Sequence, residues 1–121
     1  MEPTQGDIPT NPDYGEWLAR KRAWWAWHND NPEVWRYFER FAKEAMEHGH
    51  VRISHWLIMN RIRWEVMIVT TGVQRGDEVL KLSNDHFAWY ARFWKACYPE
   101  HAGLFKTKLM IGEPHDSPLV G

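Results

Sequence analysis

The chain has a single cysteine, Cys97, so no intramolecular disulfide can staple it, and it opens without the basic segment and apolar run of a secretory leader. The expectation is a cytoplasmic protein held together by packing alone. No apolar stretch approaches the roughly 18 residues needed to span a bilayer, which excludes a membrane-spanning helix. An excess of charge of one sign is lacking too: 15 basic against 16 acidic residues leave a formal net charge of -1. No global field draws in nucleic acid, and any such binding must rest on a local patch. There is no Gly-rich phosphate loop, no Gly-x-Ser-x-Gly elbow and no cluster of acids suited to two metal ions. Cys97 with His86 or His101 is the remaining route to a nucleophile and its base. Yet Cys97 falls on the apolar face of its helix, where a free thiol behaves as an inert small hydrophobe. The expectation is a protein that is not an enzyme and takes no cofactor.

Aromatic side chains, by contrast, are abundant: nine Trp, five Phe and four Tyr among 121 residues, in a chain 44% apolar and 26% charged. A chain of this length forms one domain and buries roughly two-thirds of its unfolded surface. The rings put unusually large apolar area into that core. Residues 1–12, with Pro3, Gly6, Pro9, Pro12, Glu2 and Asp7, have the composition of an extended acidic arm. Residues 13–111 read as the domain and 112–121 as a flexible tail.

Hydrophobic periodicity predicts a compact, mainly α bundle of about four helices, at 14–28, 32–48, 54–67 and 84–98. In the first helix Trp17, Leu18, Trp24, Trp25 and Trp27 recur at helical spacing around the basic run Arg20-Lys21-Arg22. The cluster His28-Asn29-Asp30-Asn31 ends it, and Asn31-Pro32-Glu33 starts the next, with Asn31 as cap, Pro32 preset for the first turn and Glu33 at the positive end of the dipole. Val34, Phe38, Phe41 and Ala45 form the second helix's stripe, Glu39 and Lys43 an i,i+4 pair, and Gly49 its C-terminal stop. Ser54 caps a third helix whose stripe is Leu57 or Ile58, Ile62, Val66 and Val69, with Trp64 on the flank. The β-branched run Val66 to Thr71, the turn formers Gly72 to Asp77 and the segment Glu78 to Leu82 predict a small β-hairpin over 68–82, a winged-helix-like variation. Ser83 or Asn84 caps the last helix, where Phe87, Tyr90, Ala91, Trp94, Cys97 and Tyr98 share a face until Pro99 stops it.

From Asn31 to Lys108, about two-thirds of the chain, the signposts are Asn31-Pro32-Glu33-Val34-Trp35, Ser54 ahead of Ile62-Arg63-Trp64, the Lys81 to Asn84 segment, Tyr90-Ala91-Arg92 and Tyr98-Pro99-Glu100. Together they resemble small proteins of unassigned function encoded by bacteriophages and prophages. The Trp-rich N-terminal segment departs from that pattern. The resemblance implies a context and no activity: an accessory protein acting on DNA, on transcription, or on a host machine or defence system.

Two functional readings follow. In the first, Arg52, Asn60, Arg61, Arg63 and Lys81 make a basic helix face for DNA or RNA, since Arg and Asn contact phosphates and base edges. The match to a helix-turn-helix is poor, because Glu44, His50 and His55 stand where apolar residues belong, but a wing at Gln74 to Asp77 keeps a winged-helix form open. Arg61 and Glu65 also stand at i,i+4, so that face can be simply an amphipathic helix's wet side. In the second, Trp17, Arg20, Lys21, Trp24, Trp25 and Trp27 form a partner-binding surface, for example in an inhibitor of a host defence or regulatory complex. More large apolar groups crowd this helix than one face can hide, so some exposure, or a homo-oligomer, is expected. Coplanar cations would favour the first reading, and an exposed aromatic patch of several hundred Å² the second. The acids Glu2, Asp7, Asp13 and Glu16 leave the first sixteen residues with no positive charge, and the sequence leaves open whether they mimic nucleic acid or cover the basic patch. His48, His50 and His55 lack the spacing of a zinc site, and no metal is expected.

Overall fold

The computed structural model describes residues 12–70 and 84–114. Among them the regular structure is helical and no strand occurs: α1 is Tyr14–Asp30, α2 Pro32–Glu47, α3 His55–Trp64 and α4 Asn84–Cys97. The mainly α bundle expected from the sequence is what forms. α3 runs on through a π-helical stretch, Glu65–Thr70, and α4 is followed by 3-10 turns over Pro99–Leu104. The expected hairpin is corrected on its first side, because residues 68–70 belong to the π-helical stretch. There the backbone bonding propagated from α3 outweighs the β preference of Ile68, Val69 and Thr70. Residues 71–82, with the wing, lie outside the described residues, as do Ser83 and the arm before Pro12.

The helix ends show why the chain turns where it does. Gly49 takes φ +93°, its N–H donates to Met46 O at 2.9 Å and that of His50 donates to Ala45 O at 3.1 Å, a Schellman motif closing α2. Ser54 Oγ accepts from Trp56 N at 3.1 Å and so caps α3. Asn31 does not cap α2 as expected; its Nδ2 donates to Trp27 O at 2.9 Å, satisfying a carbonyl at the end of α1 instead.

α2 and α4 pack on each other and on both remaining helices, while α1 and α3 do not meet. The two are the central pair, and α4 is the more buried of them. Phe87, Trp89, Tyr90, Ala91, Phe93 and Trp94 are all buried, so the single face expected for it was too narrow. Cys97 is corrected outright: it lies past that buried stretch and is exposed. In α3 and its π-helical continuation the buried stripe is Ile58, Met59, Ile62 and Val66, whereas Leu57 and Val69 point out. Rings knit the helices together. Trp24 stacks on Trp89 at 5.9 Å and meets Phe93 edge-on at 5.6 Å, Trp35 packs on Phe93 at 4.6 Å, and Phe38 meets Phe105 at 5.1 Å.

The C-terminal segment is part of the fold beyond the boundary expected at 111. Arg92, buried on α4, donates to both carboxylate oxygens of Glu113 at 3.1 to 3.3 Å, to Ala88 O at 3.2 Å and to Lys108 O. Gly112, at φ +86°, runs so close to α1 that an added Cβ would stand 2.3 Å from Asp13 O. Arg20 completes the strap by donating to Ile111 O at 3.2 Å. At the other end Tyr98 Oη donates to the Glu39 carboxylate and the Lys43 ammonium lies over the Tyr98 ring at 5.1 Å, so the expected Glu39 and Lys43 pair meets on a third side chain.

Candidate interaction surface

The structure divides the aromatic residues of α1 that were expected to form a partner-binding surface. Trp17 and Trp24 are buried, because their positions on α1 face α4, where Trp89 meets both rings. Trp27 is half-buried and stacked on His86 at 3.9 Å. Trp25 alone among these four is exposed, and its ring still touches Phe93 at 5.5 Å. Arg20 is tied to Ile111 O, and the Lys21 ammonium lies 5.5 Å from the Trp17 ring centre.

Nor do the expected basic residues converge on one face. Arg61 Nε stands 3.7 Å from Glu65 Oε1, and its guanidinium lies 4.3 Å above the Phe41 ring, so it serves the packing of α3 on α2. Arg63 is two residues on, roughly 200° around a helix of about 100° per residue, which sets it on the opposite flank of α3. Asn60 is exposed between them. Arg52, on the approach to α3, is electrostatically close to α4. Burial first, then the charges of Arg92 and Arg52, pull the Lys95 ammonium below its ordinary value. Lys81 lies outside the described residues.

What both expectations missed is on the outward side of α3. Trp56 is 46% exposed, Leu57 60% and Trp64 59%, and Met67, Ile68 and Val69 continue the exposure along the π-helical stretch. At about 100° per residue, positions 56, 57, 60 and 64 fall within roughly 100° of one another, opposite Ile58, Met59 and Ile62. They form one apolar face with Asn60 in its middle, and Arg61 and Arg63 are its two shoulders. The signal was present in the sequence as two apolar stripes on one helix, but the reading offered Leu57 and Val69 to the core, left Trp64 on the flank and did not single out Trp56. Beside Leu57 a groove of about 380 Å³ opens between α2 and α3, floored by Phe41, Ala45 and Ile58 and edged by His48 and Arg61.

Cys97 is exposed as a residue, yet partial desolvation of its thiol, with the Glu39 charge behind it, pushes that thiol up from its ordinary value. Among the described residues no group of three or more His, Cys, Asp and Glu could hold a metal ion, and no helix is long and apolar enough to cross a membrane. Comparison of the chain with protein-family models, with curated proteins and with solved structures finds no match in any of the three.

Proposed function

We propose that this chain is a non-catalytic protein-interaction module that docks through the outward face of α3. The observation that carries the reading is the run of exposed large apolar side chains from Trp56 to Val69. At about 150 to 250 Å² for an aromatic and somewhat less for each aliphatic, their exposed parts sum to something on the order of 600 Å², the upper end of what a monomer shows as its largest patch. Its composition supports the reading too: two exposed Trp on the face, with Arg on its shoulders, is the chemistry of energetic hot spots. An accessory role of the kind implied by the resemblance to phage-encoded proteins fits such a module, which acts by occupying a surface. The basic-face alternative has less support, since Arg61 is engaged with Glu65 and Phe41, and Arg63 lies across the helix from it.

Fluorescence anisotropy of labelled duplex and single-stranded DNA, titrated with the protein at low and moderate salt, separates the two readings. The module reading expects no salt-dependent binding. Micromolar binding that weakens steeply with salt and is lost in the Arg61→Ala, Arg63→Ala double variant would overturn it in favour of a nucleic-acid face.

A further inference from the structure

We propose that the aromatic seam between α1 and α4 conducts an oxidising equivalent inward from Trp25 to Tyr90, whose phenol then gives its electron to the rings and its proton to His28. α1 and α3 do not meet, so the path is independent of whatever docks on the outward face of α3. Trp25 is 38% exposed, and its ring lies 5.4 Å, centre to centre, from that of the buried Trp24. Trp24 is the junction. It also meets Tyr90 edge-on at 5.3 Å and stacks on Trp89 at 5.9 Å. Separations of this size are van der Waals contact between rings, and an electron crosses such a gap without a covalent path.

The protons give the path its direction. An oxidised indole becomes a weaker oxidant once its N–H proton leaves. Trp24 Nε1 is buried and has no hydrogen-bond partner among the described residues, so that proton has no acceptor and the radical cation keeps its oxidising strength. Tyr90 is the opposite case: it is fully buried, yet its Oη lies 2.9 Å from His28 Nδ1. With the ring proton on Nε2, the imidazole accepts from the phenol. Burial holds the His28 imidazole below its ordinary range, which leaves it neutral and able to take that proton at neutral pH. Burial, with the Glu33 charge behind it, pushes the Tyr90 phenol up, so it does not ionise beforehand. A one-electron oxidant, such as an oxygen-centred radical, takes an electron from Trp25 and is itself reduced. Trp25 is restored by an electron from Trp24, and Trp24 by one from Tyr90. As that last electron leaves, the Tyr90 O–H bond breaks and an N–H bond forms at His28 Nδ1. The products are intact indoles, an imidazolium and a neutral phenoxyl radical, which its burial shields from coupling with a second radical.

Pulse radiolysis of the full chain with azide radicals, which oxidise exposed indoles by one electron, tests this. The indole-radical absorption is expected to decay as the phenoxyl absorption grows, at a rate independent of protein concentration and slower in heavy water. Tyr90→Phe keeps the ring and its contacts and should abolish this growth. His28→Gln keeps an acceptor for the Tyr90 hydroxyl but removes the base, and should slow the growth by about tenfold or more, a positioned base being worth at least that. Growth that survives Tyr90→Phe, or that is indifferent to His28→Gln, overturns the proposal. So does growth in the unaltered chain that depends on protein concentration or runs equally fast in heavy water, and those two readings need no variant to fold.

Discussion

Arg92 carries more of this fold than any other polar side chain described above. Its guanidinium is buried and holds the Glu113 carboxylate, Ala88 O and Lys108 O together, and Glu113 Oε1 in turn accepts from Met110 N at 2.8 Å. Removing the cation leaves a largely buried carboxylate and two carbonyls without their donor. Arg92→Ala is therefore expected to destabilise the protein by about 3 kcal/mol in urea unfolding, the lower end for breaking a buried pair because Glu113 keeps some exposure. A loss below about 1 kcal/mol, the range of a surface pair, would show the strap to be ornamental. The sequence marked Arg92 as a signpost without revealing this role, since its partner Glu113 stands 21 residues away in what read as a tail. Local signals were legible where the partner is local, as for Ser54 and Gly49. Asn31 misled because its amide had a second nearby option, the Trp27 carbonyl.

Elements were legible in proportion to how one-sided their burial is. α2 has water along one side and a clean stripe of Val34, Phe38 and Phe41, so periodicity found it. α4 is surrounded, so a search for one apolar face found only part of it. α3 is apolar on two faces, and a single-stripe reading must choose between them. That is also why the candidate surface was placed on α1, where the density of Trp is greatest but the rings are needed by α4. The termini of the elements give a graded test. At Gly49 an added Cβ meets nothing within 4 Å, so Gly49→Ala should cost only the left-handed backbone strain, about 1 kcal/mol. Gly112→Ala adds a backbone collision at 2.3 Å to the same strain, and a loss of about 3 kcal/mol is expected. Equal losses in denaturant unfolding would mean that the segment moves off α1 at little expense.

At the scale of the whole molecule, stability should fall on mild acidification. Burial lowers the pKa of His28, His55 and His86 from the ordinary 6.5, with Arg92 adding to the effect at His55 and Asp85 partly opposing it at His86. His28 Nδ1 is hydrogen-bonded to the Tyr90 hydroxyl at 2.9 Å, and His86 is stacked under Trp27, so both rings sit at the seam between α1 and α4. A lowered folded-state pKa means that the unfolded chain takes up protons first as the pH drops. Stability is then complete above about pH 6.5 and declines below it until the folded-state values are reached. Thermal unfolding followed from about pH 7.5 to about pH 5 should show a falling midpoint, and a flat or rising one would sink the assignment of these rings as neutral seam residues. The same architecture has a further consequence. Because α2 and α4 stand between α1 and α3, a partner seated on the outward face of α3 leaves the far side of α1, with Arg22 exposed on it, open to solvent.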